Sequence, residues 1–451
     1  IDWSEGTDQG PSEVRVEVST NRPDNVGTAG EPFDVRVRVT NTGSAPLFQL
    51  RAETESDYPL FDGRELVFGR LDPGQTREWS TTLGVCTTEN ERRVCRLPRY
   101  LPDRADGIRI VFSEAHGHAP PPAELRTEVR ALPRPRFSYQ LQVADVQGNG
   151  DGRVQRGEQV TIFMHLRNTG RGRTFETQAN LRNLSGAGVL LRAGRFRIDN
   201  MQPGEEREVA FTFEVLPSFD RDVAKVEVSV VDTDLREAIT ERLEIPIERG
   251  GTPTARRGRA TLPAGTAIYE QPRPDSRVIA HVRGGALGVA TEAELDGFVR
   301  IAMGEGRPAW VPASALTDER PARQARIVEE LNHMPPELTV EVPALVTTAN
   351  DLRIQGRARD ESRLRDLYVY VGARKVYYQS NRGAQNPREA TFDARIPLRP
   401  GINYVVVVAR ENDQSITRQS FVVRRDGPDG ALLETPEHTE EWFHFGIEDE
   451  E

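Results

Sequence analysis

Long hydrophobic runs are absent from this sequence of 451 residues. No apolar stretch reaches the roughly 18 residues that a membrane-spanning helix needs, so we expect no membrane span in this chain. The sequence starts with Ile1 and not with Met, and we therefore expect that an upstream segment has been removed or lies outside this chain. No signal peptide is visible, and its absence has no bearing on export.

Basic residues are also fewer than acidic ones. The chain has 59 Lys and Arg and 70 Asp and Glu, which gives a formal net charge of −11. This balance argues against a general nucleic-acid-binding role. Lysine itself is nearly missing, since Lys225 and Lys375 are the two in the chain. We interpret the excess of arginine as a coding bias and not as a sign of arginine-specific recognition.

Cysteine occurs only as Cys86 and Cys95, in the stretch GVCTTENERRVCRLP. The spacing excludes a CxxC redox or metal motif, and no nearby histidine completes a zinc set. The intervening residues are enough for a turn that returns antiparallel, so our favoured interpretation is a disulfide across a hairpin. Two reduced, unrelated thiols are the alternative. A disulfide would indicate an oxidising compartment.

Helical periodicity is nearly absent, whereas the alternation of apolar and polar residues that is typical of half-buried strands recurs along the chain. It is clearest in a repeat, where PFDVRVRVTNTGSAPLFQLRAET from Pro32 matches QVTIFMHLRNTGRGRTFETQANL from Gln159. The copies lie about 130 residues apart, the length of one sandwich domain each. In both copies we expect Asn-Thr-Gly to supply a left-handed residue for a tight turn, and a later Pro-Gly to form a second turn.

The sequence therefore predicts an all-β protein of tandem Ig-like β-sandwiches with one small SH3-like barrel. Gly- and Pro-rich stretches mark the boundaries. For the linker we expect one or two helical turns, and for the acidic tail, which contains Trp442, Phe443 and Phe445, a loop or a peptide that docks on a partner. The expected segments are a sandwich at 1–132, its repeat at 133–249, the barrel at 250–318, the linker at 319–336, a last sandwich at 337–426 and the tail at 427–451.

The stretch DVQGNGDGRVQRGEQV has the ligand spacing of a helix–loop–helix calcium site. Both flanks alternate with period two and are therefore strands, which excludes the regulatory sensor. What remains is an oxygen-rich loop that suits a hard cation, and we expect a weak structural calcium site because Gln147 stands where a carboxylate is usual. The alternative is a loop of Asx turns that binds only its own backbone. The candidate ligands are Asp145 or Gln147, Asn149, Asp151, the backbone of Arg153 and Glu158.

Other chemistry is sparse. In the predicted barrel, Tyr269, Phe298 and Trp310 either line a ligand groove or fill the core. The stretch NLSGAG around Ser185 is not a nucleophile elbow, because its glycine spacing and its strand–turn–strand context are wrong. No glycine-rich phosphate loop or distinctive carboxylate pair is visible. We find no catalytic residue to assign and expect no enzymatic activity in this chain.

Several segments together resemble the long C-terminal extension of myxobacterial-type tail-specific, or carboxyl-terminal processing, serine proteases. They are IDWSEGTDQGPSEVRVEVSTNRP, LVFGRLDPGQTREWS, GNGDGRVQRGE, the barrel segment, and LYVYVGARKVYYQ with FDARIPLRPGINYVVVVARE. The resemblance covers residues 1 to about 425. It lies in the order of the domains and in these short sequence segments. In that family, protease and PDZ domains with a Ser/Lys pair precede this region. No such motif occurs here, so no catalytic residue is carried over.

The resemblance implies export to the cell envelope, periplasmic or extracellular, and a non-catalytic accessory region that positions a substrate, a partner or the envelope relative to a protease. The implied partners are a protein or peptide, including its own protease domain, and the cell wall. Two alternatives stay open: a stand-alone adhesion or glycan- or peptidoglycan-binding protein, and one chain of a cleaved serine endopeptidase. The barrel groove and the loops at the sandwich ends are the expected contact surfaces.

Overall fold

A computed structural model describes residues 1–304 and 306–436 of the chain, without the side chain of Glu89. Within these residues the regular structure consists of 33 strands and two 3-10 helices, Pro23–Asn25 and Ala313–Ala315. The prediction of an all-β chain of tandem domains is therefore confirmed. In the described ranges, no helix has the length and apolar character to cross a membrane. The aromatic residues of the acidic tail, Trp442, Phe443 and Phe445, lie outside the described residues.

The chain divides into two compact units. Unit 1 combines residues 1–132 with the described residues from 336 onward, and unit 2 comprises residues 133–335. The first and the last predicted sandwich therefore belong to one body, although the whole of unit 2 separates them in sequence. The sequence patterns gave no indication of this grouping.

The first domain of unit 1 is a sandwich in which the sheet β1–β3–β6 faces the sheet β5–β4–β9–β10–β2. Alternate residues of β3 are buried, with Phe33, Val35, Val37 and Val39 in the core, as their period of two predicts. The strands are β1 (Val14–Thr20), β2 (Val26–Thr28), β3 (Phe33–Asn41), β4 (Leu47–Glu55), β5 (Glu65–Leu71), β6 (Thr76–Leu83), β7 (Val85–Glu89), β8 (Arg92–Arg96), β9 (Asp103–Ser113) and β10 (Ala123–Arg130).

Unit 2 begins with a second sandwich whose sheets are β11–β12–β16–β14 and β15–β13–β17–β18. Its core resembles that of the first domain in using alternate residues of each strand, for example Val160, Ile162, Met164 and Leu166 on β12. The strands are β11 (Phe137–Ala144), β12 (Gln159–Asn168), β13 (Thr177–Asn183), β14 (Val189–Ala193), β15 (Arg195–Arg197), β16 (Glu206–Val215), β17 (Val223–Asp232) and β18 (Glu237–Pro246).

Unit 2 continues with a small barrel sheet in the order β19–β22–β23–β24–β20–β21–β25. The expected helical turn after Arg323 is wrong, because this segment forms β25, which pairs antiparallel with β21. The predicted linker thus extends the barrel sheet. The strands are β19 (Thr254–Leu262), β20 (Ala267–Tyr269), β21 (Val278–Arg283), β22 (Leu287–Leu295), β23 (Phe298–Ala302), β24 (Pro308–Pro312) and β25 (Arg326–Glu329).

The last domain belongs to unit 1. Its sheet β26–β28–β31 packs face to face against the strands β33–β32–β29–β30. The latter strands are continuous with the first domain, because β33 pairs in parallel with the start of β9. The result is one ten-stranded sheet, which we call the joint sheet. The strands are β26 (Glu337–Glu341), β27 (Val346–Thr347), β28 (Asp351–Arg359), β29 (Asp366–Val371), β30 (Arg374–Ser380), β31 (Glu389–Pro397), β32 (Gly401–Arg410) and β33 (Ile416–Arg425).

A buried ionic network accompanies the junction in the joint sheet. The Arg424 guanidinium lies 2.8 Å from Asp426 and 3.0 Å from Asp57 of the first domain, and its side chain is 3% exposed. Nearby, Arg104 pairs with Asp106 at 2.6 Å, again with both side chains buried. Charges at such depth are tolerated only when they are paired and hydrogen-bonded. The junction is therefore specific, since it requires complementary charges from both domains.

The two Asn-Thr-Gly turns differ from the prediction. Neither Gly43 nor Gly170 has a positive φ, so no left-handed residue is supplied there. Instead Asn41 and Asn168 are fully buried, and each side-chain amide donates to two backbone carbonyls. The glycines are needed for close approach, since a Cβ on Gly170 would lie 2.3 Å from the Arg136 nitrogen. Buried backbone groups must find partners, and the asparagine provides them in both copies.

Candidate functional site

The predicted calcium ligands lie in the loop between β11 and β12, which we call the acidic loop, residues 145–158. Asp145 accepts backbone N–H bonds from Asp151 at 2.9 Å and from Gly152 at 3.0 Å. The Asn149 side-chain oxygen accepts a second bond from the Asp151 N–H at 2.9 Å. Gly152 has a φ of +77°, which permits the sharp turn. The hydrogen-bonded turns of the Asx alternative are therefore present.

The acidic loop concentrates negative charge in a buried place. Asp145 and Asp151 are buried, and Glu158 is half-buried. The pKa of Asp145 is raised to about 6, chiefly by burial and also by the charges of Asp151 and Glu158, against the opposing effect of the two backbone N–H bonds. A carboxylate that is disfavoured by its neighbours' charges is one that a bound cation would stabilise.

The other predicted ligands include Gln147, Arg153 and Glu158. Gln147 is exposed. The predicted donor of Arg153 is its backbone carbonyl, while its guanidinium pairs with Asp296, between β22 and β23, at 2.6 Å. The Glu158 carboxylate accepts backbone bonds from Asn149 at 3.2 Å and from Gln155 at 2.9 Å. The loop thus offers Asp145, Asp151 and Glu158 as oxygen donors for a cation, although all three also bind backbone N–H groups of the loop.

The acidic loop also joins the sandwich of unit 2 to the barrel sheet. The Arg300 guanidinium donates to the Gly150 carbonyl at 2.6 Å, and the Gly251 N–H donates to the Asp151 carboxylate. With the Arg153–Asp296 ion pair, these contacts connect the loop to the start of the barrel segment at Gly251 and to the β22–β23 hairpin. The loop therefore has a clear structural role, whether or not it binds an ion.

Of the three aromatic residues of the predicted groove, Trp310 lies against this loop. Trp310 is 1% exposed, and a Cβ on Gly152 would lie 2.7 Å from its indole nitrogen. Phe298 is also buried and meets the half-buried Tyr269 edge-on, with ring centroids 5.6 Å apart. A groove lined by Trp310 is consequently not open in this structure. The tryptophan is covered by the sandwich and does not belong to the hydrophobic cluster at the centre of the barrel.

The predicted disulfide is confirmed. Cys86 and Cys95 face each other across the β7–β8 hairpin and are bonded. Disulfides persist in oxidising compartments and are rare in the cytosol. The Cys86–Cys95 disulfide therefore points to an oxidising compartment.

A surface that sequence reasoning missed lies on β29 and β30, at one edge of the joint sheet. Tyr368 pairs with Tyr378 across the two strands, and Tyr370 pairs with Lys375, which places all four on one face. The Lys375 ammonium lies 4.9, 5.7 and 5.9 Å from the rings of Tyr368, Tyr370 and Tyr378. Tyr378 is 56% exposed. We call these four residues the tyrosine surface.

The signal for this surface was present in the stretch LYVYVGARKVYYQ. A hairpin with a turn at Gly372 aligns Tyr368 with Tyr378, but a register shift between Val369 and Tyr370 decides which neighbours meet. Alternation alone places Tyr368 and Tyr370 on one face of β29. It does not show which face of the last sandwich is covered.

Comparison with known proteins adds little. No family model matches the sequence, and no curated protein matches it. Among solved structures, red sea bream transglutaminase is similar at a TM-score of 0.21 and 13% identity, covering 52% of this chain and 32% of that chain, so this chain spans about a third of it. A 1.5-MDa bacterial ice-binding adhesin, described in connection with host cell surface retention, is similar at a TM-score of 0.20 and 10% identity, covering 93% and 98%. Similarities this low support no functional argument.

Proposed function

We propose that this chain is a non-catalytic binding region that acts outside the cytoplasm, in the periplasm or at the cell surface. The tyrosine surface is the observation that carries the proposal, because it places the exposed Tyr378 and two half-buried tyrosines beside a cation, and accessible aromatic groups of this kind are enriched at binding surfaces. The disulfide supports a location outside the cytoplasm. The joint sheet supports a binding role, since β29 and β30 are held by a framework of two domains.

The ligand class that fits the tyrosine surface best is a cell-envelope glycan that carries carboxylates, such as peptidoglycan. Tyrosine rings offer a flat apolar face to the C–H groups of a sugar, and their hydroxyls can bond sugar hydroxyls. The Lys375 ammonium adds attraction for an acid group. Because the whole chain has a net charge of −11, this local cation would direct an anionic polymer to the surface and away from the rest of the molecule.

Replacing Tyr378 with alanine should weaken binding to purified peptidoglycan about tenfold, equivalent to ~1.4 kcal/mol. The side chain is largely exposed, so the substitution removes contact area without affecting the core. Tyr378→Phe keeps the ring and should retain most of the binding. Co-sedimentation of the purified chain with insoluble peptidoglycan, at increasing polymer concentration, measures the affinity.

The matched control for this experiment is Leu190→Ala, which removes another exposed hydrophobic side chain, in unit 2. It should bind as the wild type does. Equal binding by wild type, Tyr378→Ala and the double variant Tyr368→Ala/Tyr378→Ala would exclude the tyrosine surface as the contact. Failure of the wild type to sediment would exclude the glycan.

A second proposal places this region in the polypeptide of a tail-specific serine protease, where it would hold the substrate or envelope near the active site. The resemblance of domain order and phrases supports this, and unit 1 supplies a stable framework for such a role. A reading frame that continues upstream of Ile1 into a Ser/Lys protease would agree with the proposal. Co-purification of this chain with a separate peptidase chain would favour the cleaved endopeptidase, and an upstream frame without a protease would favour a stand-alone adhesion protein.

Calcium binding by the acidic loop is a third proposal, with Asp145, Asp151 and Glu158 as oxygen donors. A hard cation would offset their mutual repulsion and join the sandwich of unit 2 more firmly to the barrel sheet. For a dissociation constant of ~0.1–1 mM, typical of extracellular modules, 10 mM calcium should stabilise unit 2 by about 1–3 kcal/mol.

The calcium effect should depend on pH through Asp145. Because its pKa in the folded chain is about 6, above the ordinary value of 3.8, the folded state keeps this proton at pH values where the unfolded state has lost it. The free energy of unfolding therefore falls as the pH rises from about 4 to 6. Below pH 6, calcium must displace the Asp145 proton in order to bind. Thermal unfolding with calcium or chelator should show a stabilisation that is full at pH 7.5 and small at pH 5. Asp145→Asn should abolish it, and an equal shift in the variant would contradict the site.

A further inference from the structure

Three side chains with metal-binding atoms meet in unit 2 away from the acidic loop. His165 lies on β12 and is the direct cross-strand partner of Glu208 on β16. Glu329 ends β25, the strand in the segment expected to be a linker. One ligand atom from each of the three lies within 4.8 Å of the other two, and among the described residues this is the group of histidine, cysteine or acidic side chains that meets so closely. We call it the His165 cluster.

The distances in the His165 cluster are close to those of a tetrahedral metal site. His165 Nδ1 lies 3.8 Å from Glu208 Oε1 and 3.8 Å from Glu329 Oε2. Zinc bonds of 2.0–2.2 Å at tetrahedral angles place neighbouring ligand atoms about 3.3–3.6 Å apart. The two distances from His165 Nδ1 exceed this range by a few tenths of an ångström, and all three ligand atoms lie within 4.8 Å of one another. A change of glutamate rotamer would bring the carboxylate oxygens into the zinc range.

Two of these ligand atoms lack other partners. His165 Nδ1 and Glu329 Oε2 are both buried, and within the described part of the chain neither has a hydrogen-bond partner. A buried polar atom without a hydrogen-bond partner destabilises the folded state. Because the two atoms face each other at 3.8 Å, a single ion between them would satisfy both. This observation is independent of the acidity of the cluster.

The surroundings provide a second layer of charge. Glu206 lies 3.6 Å from His165 Nε2, on the side of the ring away from Nδ1, where a carboxylate typically orients a metal-binding histidine. Arg307, 5% exposed, pairs with the carboxylates of Glu208 and Glu329. Glu206 also pairs with Arg167 at 3.7 Å, so three carboxylates and two guanidiniums leave one negative charge around the histidine. The two guanidiniums reduce the attraction for a cation, and a divalent ion would change the net charge of the cluster from −1 to +1.

We propose that His165, Glu208 and Glu329 bind a divalent transition metal ion, with zinc as the best fit to one imidazole nitrogen and two carboxylate oxygens. A water molecule would complete four-coordination. The ligands come from the sandwich and from the last strand of the barrel sheet, so the ion fastens β25 to the sandwich within unit 2. The site is independent of the tyrosine surface and of calcium in the acidic loop.

Calorimetric titration of the metal-stripped full chain with zinc chloride at pH 7.5 tests the proposal. We expect one saturable site, with its affinity lowered at least tenfold in His165→Ala and in Glu329→Gln. Cobalt in place of zinc should give the intense visible absorption of four-coordinate geometry. Glu208→Gln changes a half-exposed side chain and provides a variant that folds even if the buried positions do not tolerate substitution.

Two controls separate this site from other metal binding. His281→Ala removes a histidine that pairs with Glu330 on the barrel sheet outside the cluster, and Asp145→Asn disables the acidic loop. Both should bind zinc as the wild type does. The absence of a saturable site, or an unchanged affinity in the folded variants of His165, Glu208 and Glu329, would overturn the proposal.

Discussion

Replacing Arg424 with methionine should destabilise unit 1 by about 3–5 kcal/mol, the cost of breaking a buried ion pair by removing one partner. The substitution removes the cation that Asp57 and Asp426 share at the junction of the first and last domains, and leaves Asp426 with Arg126, at 3.0 Å, as its remaining cationic partner. Methionine fills part of the space of the arginine stem, so lost charge compensation dominates the effect. Urea titration with hydrogen-exchange mass spectrometry of peptides from β9 and β33 measures unit 1 separately from unit 2.

Arg353→Met provides the comparison for Arg424→Met. Arg353 also pairs with an aspartate, Asp393, but on the exposed surface of the last domain. Exposed pairs contribute little to stability, so this variant should unfold close to the wild type. If the two variants had the same midpoint, the buried network would not be what holds the joint sheet together.

Replacing Trp310 with alanine should destabilise unit 2 by about 3–5 kcal/mol, as is typical of truncating a buried tryptophan. The indole lies beneath the acidic loop at Gly152, so its loss leaves a cavity between the barrel sheet and the sandwich. If Trp310 instead lined an open ligand groove, its truncation would change stability by no more than about 0.5 kcal/mol, as at ordinary surface positions. Urea unfolding followed by hydrogen exchange of β23 and β24 peptides distinguishes the two.

Trp3→Ala is the control for the tryptophan experiment, since Trp3 is 42% exposed and lies in unit 1. It should leave the unfolding of unit 2 unchanged. A Trp310→Ala chain as stable as Trp3→Ala would mean that the loop does not pack on the barrel sheet in solution.

Much of the fold follows from local sequence, because the period of two is a local property. Val35, Val37 and Val39 are buried, as their alternation with polar residues predicts. The Pro-Gly turns of the two repeat copies also behave as expected, with positive φ at Gly74 and Gly204. The disulfide could be inferred because the two cysteines are close enough in sequence for one hairpin to align them.

The features that could not be predicted depend on contacts between residues that are far apart in the sequence. In β25 the run Arg326–Glu329 is too short for its period to be decisive, and pairing with β21 determines its conformation. The burial of Trp310 depends on a loop more than 150 positions away in the chain. The same is true of the His165 cluster, where only the pairing of β25 brings Glu329 to the sandwich. Of the candidate sites, sequence spacing located the acidic loop, while the tyrosine surface and the His165 cluster required the tertiary structure.

The joint sheet also has a consequence for the timing of biosynthesis. One edge of β9 is shared between β4, which pairs with Arg109–Ser113, and β33, which pairs with Asp103 and Arg104. At ~5–20 residues per second, the ribosome needs about 10–40 s to make the 203 residues of unit 2, positions 133–335, before it reaches the last domain. Throughout that interval the nascent first domain carries an open strand edge, which is prone to mispairing. Unit 1 can therefore complete its joint sheet only after both the first domain and the last domain have been synthesised.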